Sequence, residues 1–199
     1  MGPGSLTAVS HALSPTPREQ LLELIKTLAV VHGKVTLSSG READYYVDLR
    51  RVTLHHRAAP LIGHLLLDRL EEVGLGTAEI DAVGGLTLGA DPVATSLLHA
   101  AASRGLDLDA FVVRKEGKAH GLQRRIEGPD IAGRRVVVVE DTSTTGGSAI
   151  AAIEAAREAG AEVVGAAVIV DRATGAQERI EALGVPYHSL FSLSDLGLA

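Results

Sequence analysis

The chain has 199 residues, a formal charge of −6, no cysteine and only 3% aromatic residues. That length holds one substantial core with at most a small appended subdomain, and the missing cysteines exclude disulfides, thiolate metal sites and a cysteine nucleophile. The acidic balance argues against nonspecific nucleic-acid binding, no uncharged apolar run approaches the roughly 20 residues of a membrane span, and the N-terminus lacks a secretory pattern, so a cytoplasmic protein with neither nucleic-acid nor membrane partner is expected.

Met1-Gly2-Pro3-Gly4-Ser5 reads as an expression remnant, and residues 1–16 as a flexible N-terminus. A first helix is predicted over residues 17–31: Thr16 suits the N-cap, Pro17 the first helical position, and Glu19 completes a capping box. Gly33 reads as its stop. Two short extended runs, 34–37 and 45–49, surround Ser38-Ser39-Gly40-Arg41-Glu42-Ala43-Asp44 and read as a hairpin-like unit outside the main sheet. A second helix is predicted over 56–73, with Pro60 tolerated in its first turn.

From there strands and helices alternate. Strands are predicted at 81–84, 110–113, 135–139 and 162–170, with helices at 92–103 and 148–159 ended by Gly105 and Gly160. The pattern implies an α/β fold with a parallel sheet covered on both faces. Ligands bind beyond the carboxyl ends of such strands. The residues at those ends are Gly84-Gly85, Arg114-Lys115, Glu140-Asp141 and Asp171-Arg172.

The most informative run is Val136-Val137-Val138-Val139-Glu140-Asp141-Thr142-Ser143-Thr144-Thr145-Gly146-Gly147-Ser148. A buried strand delivers two carboxylates to its end, and a loop of small hydroxyl residues and glycine leads into a helix. Free N–H groups and the positive end of the helix dipole make such a turn an anion site. A bare phosphate site would not want two carboxylates beside it. They make sense if the ligand also brings sugar hydroxyls, a metal or a developing cation, as a phosphorylated ribose does. No lysine follows the glycines, which disfavours a P-loop, and the first-turn dinucleotide fingerprint is absent. Just upstream, residues 114–135 carry seven basic side chains against three acidic ones, an excess suited to a polyanionic ligand.

Residues 136–148 resemble the phosphoribosyl diphosphate (PRPP) motif of type I phosphoribosyltransferases. Three further segments narrow the resemblance to the orotate phosphoribosyltransferases. Arg114-Lys115-Glu116-Gly117-Lys118-Ala119-His120-Gly121 resembles that family's mobile catalytic loop. Asp171-Arg172 with Thr174-Gly175 resembles its orotate-contacting element, and Leu37-Ser38-Ser39-Gly40-Arg41 with Tyr45-Tyr46 its N-terminal hood. The fold so implied is one domain over residues 17–199, a central parallel sheet flanked by helices with hood elements near 34–50.

The resemblance implies transfer of the phosphoribosyl group from PRPP to orotate, giving orotidine 5'-monophosphate and pyrophosphate with magnesium, in pyrimidine (UMP) biosynthesis. Thr142, Ser143, Thr144, Thr145, Gly146, Gly147 and Ser148 would hold the 5-phosphate, and Glu140 and Asp141 the ribose hydroxyls. Arg114, Lys115, Lys118 and His120 would meet the leaving pyrophosphate, with His120 able to donate a proton near neutral pH. Arg172 would take the orotate carboxylate and Thr144 the base. The alternative for Arg172 is an ion pair with Asp171 or another acid. Magnesium would be held mainly through PRPP, with no direct protein ligand. A homodimer with shared active sites is implied, the counterpart of Lys115 reaching across the interface.

Three positions depart from the family pattern: Glu140 stands where aspartate is frequent, and Ser38 and Leu88 stand where many members have ligand-binding lysines. The remaining histidines show no metal-ligand spacing. Other readings of the same motif are a purine-base phosphoribosyltransferase and a non-catalytic PRPP-sensing regulator; the basic loop favours an enzyme, and Arg172 favours orotate.

Overall fold

Val136, Val137, Val138 and Val139 are each no more than 1% exposed and divide between two cores. Val136 and Val138 pack with Phe111, Ala152 and Ile153, while Val137 and Val139 pack with Leu66, Leu97 and Ile169. Alternate residues of a strand face opposite sides, so an unbroken apolar run marks a strand covered on both. The computed structural model describes residues 14–36, 42–115 and 125–199. Residues 1–13, the hood residue Ser38 and the loop residues Lys118 and His120 lie outside them.

The hood comprises α1 (Pro17–Leu24), one π-type turn (Ile25–Ala29), β1 (Val30–Thr36), β2 (Glu42–Val47) and α2 (Arg50–Thr53). The sheet proper contains β3 (Ala82–Leu86), β4 (Asp109–Val113), β5 (Ile126–Glu127), β6 (Arg135–Ser143), β7 (Glu162–Asp171) and β8 (Tyr187–Ser192), in the order β5-β4-β3-β6-β7-β8. All neighbours are parallel except the two-residue edge strand β5, which runs antiparallel to β4. Helices α3 (Ala58–Glu72) and α4 (Ala90–Ser103) cover one face with the hood, and α5 (Gly147–Glu158) and α6 (Ala176–Glu181) the other. The short α7 (Leu193–Leu196) closes the chain with its own capping box, Ser192 to Asp195. Among the described residues no helix is long and apolar enough to cross a membrane.

Thr16 and Glu19 form the expected capping box. The first helix is shorter than the predicted 17–31, however. Val30 and Val31 pair with Val47 and Tyr46, because a β-branched pair with a partner strand in reach is better placed in a ladder than in a helix. Gly33 is therefore no helix stop. It lies inside β1 at φ +145°, where the register shifts between His32 and Val35, the backbone irregularity a bulge requires.

Candidate active site

Strand β3 sends its crossover to β4 on one side, whereas β6 sends its crossover to β7 on the other. Loops leaving in opposite directions open a crevice at the carboxyl ends of β3 and β6. A cleft of about 320 Å³ lies there. The sheet contributes Glu140, Asp141 and Thr142, α5 contributes Ser148, the end of β4 contributes Lys115, and the hood side contributes Tyr46 and Arg50.

Glu140 and Asp141 are only 6% and 7% exposed. Burial, followed by the charge of Asp141, pushes the Glu140 carboxyl up to about 9. Burial also raises Asp141, opposed by the Thr142 N–H and by the charge of Arg50. The charge of Asp91 raises Glu140 further; the Thr87 hydroxyl donates to the Asp91 Oδ2 at 2.7 Å. Among the described residues, the buried Glu140 Oε2 has no hydrogen-bond partner. The pair crowds against the turn after β3: a Cβ at Gly89 would collide with Glu140 Oε1 and lie 2.9 Å from Asp141 Oδ1. Only glycine leaves that space open. The site therefore stores unmet demand for positive charge.

The loop starts later than its sequence suggests. Pairing with β7 carries β6 through Thr142 and Ser143, opposite Val170 and Asp171, so these residues belong to the strand rather than the turn. The Thr142 N–H donates to Asp141 Oδ1 at 2.7 Å and is not free for a ligand. Thr144, Thr145, Gly147 and Ser148 are exposed. Gly146 takes φ 76° as the N-cap of α5, with no side-chain cap, and the Ile150 N–H bonds its carbonyl at 2.8 Å. The N–H groups of Gly147, Ser148 and Ala149 thus stand outside the helical ladder, as at any helix start.

Helix α6, which the sequence reading omitted, supports this loop from below. Arg179 Nη1 donates to the Thr145 carbonyl at 2.6 Å. Ala176 and Ile180 pack so closely that a Cβ at Gly146 would sit 3.3–3.4 Å from them. The signal was present: Gly175 followed by Ala-Gln-Glu-Arg-Ile-Glu joins a helix start to strong helix formers.

The other candidates separate. Arg172 is tied to the end of β6 through its N–H, which donates to the Ser143 carbonyl at 2.9 Å. Its Nε is buried without a partner, and among the described residues it makes no ion pair with Asp171 or any other acid. Lys115 lines the cleft of its own chain. Arg114 does not: its Nη1 meets Glu127 Oε1 at 3.3 Å across the β4–β5 edge. Leu88 is 68% exposed and lines both the cleft and a larger groove of about 750 Å³ between α3 and α4. That groove holds His55, His56, His64 and His99 with Leu54, which is 74% exposed. Among the described residues, no three His, Asp or Glu side chains are grouped as metal ligands.

The family described as phosphoribosyl transferase domain matches residues 50–183. The orotate phosphoribosyltransferase of Streptomyces avermitilis is 68% identical over 182 residues, which is 91% of this chain and 97% of that protein. That of Corynebacterium glutamicum is 61% identical over 189 residues, 95% and 98% of the two. The crystal structure of Mycobacterium tuberculosis orotate phosphoribosyltransferase in complex with PRPP has a TM-score of 0.79 at 54% identity, covering 92% of this chain and 100% of that one. The chain belongs to the orotate phosphoribosyltransferase family.

Proposed function

We propose that the protein transfers the 5-phosphoribosyl group of PRPP to a ring nitrogen of orotate, releasing pyrophosphate and forming orotidine 5'-monophosphate, a step of pyrimidine biosynthesis. The observation that carries this reading is the buried Glu140–Asp141 pair at the sheet's switch point, directly before the α5 anion site. As the C1–O bond lengthens ahead of bond making, positive charge grows on the ribose and negative charge on the departing diphosphate. No covalent nucleophile is needed; positioning and electrostatics supply the catalysis.

The residues divide along the substrate. The free N–H groups at the start of α5 and the hydroxyls of Thr144, Thr145 and Ser148 suit the 5-phosphate. The Thr142 hydroxyl, buried without a partner, suits the ribose side together with Glu140 and Asp141. Carboxylates whose ionisation burial resists are stabilised most by a cation arriving next to them, here the developing charge at C1. Lys115, with Arg114, Lys118 and His120, is assigned to the diphosphate, the histidine donating a proton as it leaves. For the orotate carboxylate, Arg172 offers a guanidinium that no acid among the described residues engages, and Thr144 is assigned to the base.

Magnesium fits this donor set. Glu140 Oε2 and its neighbour Asp141 are hard oxygen donors with unmet charge, the type this cation prefers. It would be held mainly by oxygens of PRPP, with Glu140 and Asp141 as the hard donors the chain could add, and would neutralise charge on the diphosphate. A homodimer belongs to the same reading. Exposed Leu54 and Leu88 along the α3–α4 groove supply apolar surface beside the cleft, and sedimentation tests it.

The deciding assay mixes the protein with magnesium, PRPP and orotate and follows orotate loss with pyrophosphate release. Stoichiometric consumption of both supports the proposal. Turnover with adenine or hypoxanthine but not orotate would refute the base assignment, and PRPP binding without consumption of any base would make the protein a sensor.

A further inference from the structure

Among the described residues, two cations line the cleft that holds the carboxylate pair, Lys115 and Arg50. Lys115 belongs to the basic stretch after β4. Arg50 comes from elsewhere, the first residue of α2, which packs against the π-type turn and α3. Its Nε donates to Asp48 Oδ1 at 2.9 Å, and its backbone N–H donates to the same oxygen at 3.3 Å. Asp48 thereby fixes the guanidinium plane from behind. Nη1 and Nη2 have no hydrogen-bond partner among the described residues, and the side chain is 51% exposed.

The cleft's charge makes such a group necessary. Asp48, Glu140 and Asp141 bring three carboxyls into a small space, and PRPP carries several negative charges of its own. The α5 start can serve only one end of that molecule. Leu88, which lines both cavities with Arg50, has a side chain with no charge and no donor. An anchored arginine with two free nitrogens is the geometry that binds two phosphate oxygens side by side.

We propose that Arg50 is a diphosphate-binding residue for PRPP, its Nη1 and Nη2 donating to pyrophosphate oxygens while Asp48 holds the guanidinium in place. The inference rests on the proposed use of PRPP. Neither the basic loop nor the PRPP motif contains this residue, so it is a further determinant of substrate affinity.

The test compares wild type, Arg50→Gln and Arg50→Lys. PRPP affinity with magnesium is read by calorimetry, and KM for PRPP and for orotate are measured separately. Charge-assisted hydrogen bonds carry roughly ten- to a hundredfold in affinity. Arg50→Gln is therefore expected to raise Kd and KM for PRPP by that factor. KM for orotate should stay within about twofold, and the thermal midpoint should hold, since an exposed ion pair such as Arg50–Asp48 adds little stability. Arg50→Lys is expected to recover part of the loss. Unchanged PRPP affinity, an equal rise in both KM values with a lower midpoint, a lysine variant no better than glutamine, or a loss reversed by raising protein concentration would each overturn the proposal. The last outcome would place Arg50 in a contact between copies instead. If wild type fails to consume orotate, the proposed reaction fails, while calorimetry with PRPP still reads Arg50.

Discussion

Replacing Glu140 with glutamine is expected to stabilise the ligand-free protein while slowing its turnover. A carboxyl whose pKa is higher in the folded than in the unfolded state binds more protons when folded, so stability falls as pH rises between the two values. For Glu140 those values are 4.5 and about 9. The favourable protonated contribution is fully present below about pH 4.5 and is lost progressively up to about pH 9. At pH 7 the gap above 4.5 is roughly 2.5 units, which at 1.36 kcal/mol per unit is a cost of about 3 kcal/mol. Glutamine resembles the protonated acid in shape and has no proton to bind, so about 3 kcal/mol is the upper limit of its gain. In a chain of this length that corresponds to a rise of roughly 6–12 °C in Tm. Urea unfolding of both proteins at pH 5, 7 and 8 without ligand reads the effect. The difference should be under about 1 kcal/mol at pH 5 and widen with pH. Parallel pH profiles, or a glutamine variant less stable at pH 8, would refute the assignment of strain to this carboxyl. Turnover with PRPP and orotate should drop by roughly 10²–10³, the scale for losing one preorganised electrostatic partner.

Gly89→Ala places a methyl group against Glu140 Oε1, so a stability loss of about 1–3 kcal/mol is expected together with loss of PRPP binding, measured by denaturation and calorimetry. Arg172→Ala should raise KM for orotate at least tenfold more than KM for PRPP; equal losses would make it a structural residue. Arg179→Ala removes the donor holding the Thr145 carbonyl, and KM for PRPP should rise roughly three- to tenfold while that for orotate stays put. Lys118→Ala should slow turnover at least tenfold with an unchanged circular dichroism spectrum, and unchanged turnover would remove the residue from the mechanism.

The strand-and-helix alternation was legible because β6 and β7 are central, and full burial leaves uninterrupted apolar runs bounded by glycines. The edges were not. The two-residue β5 exists only because Val112 and Val113 offer it a partner, and β8, Tyr187–Ser192, mixes polar and apolar residues in a way that tertiary pairing alone makes a strand. The end of the first helix was misplaced for the same reason: Val30 and Val31 follow β2, not local propensity. Within the site, the motif residues and the Glu140–Asp141 pair were readable because adjacent acids at a strand end are rare and costly. Gly89, Arg179 and Arg50 were not, since each acts through a neighbour 34 to 51 positions away in the chain or stands outside any motif. Arg114 shows the opposite limit. The family resemblance placed it in the catalytic stretch, but it pairs with Glu127 on a strand the sequence did not announce.

The raised Glu140 carboxyl alone costs about 3 kcal/mol at pH 7, a sizeable part of the roughly 5–15 kcal/mol that holds a domain together, and burial resists ionisation of Asp141 as well. A surface position would relieve it at once. The pair stays because of where it sits along the cleft. Helix α5 presents positive potential at one end, and Lys115 stands at the end of β4, two strands or about 10 Å away from β6. Arg50 lines the same cleft. Between these positive poles the cleft presents Glu140 and Asp141, with Asp48 beside Arg50, and a ligand with phosphate at one end, diphosphate at the other and growing positive charge between them has the complementary order. Ribose 5-phosphate and pyrophosphate each match one pole and leave the middle unmatched. Neither alone should relieve the carboxyl pair as much as PRPP, whose hydroxyl-bearing ring and reacting carbon occupy the position that a buried Glu140 and Asp141 favour for positive charge.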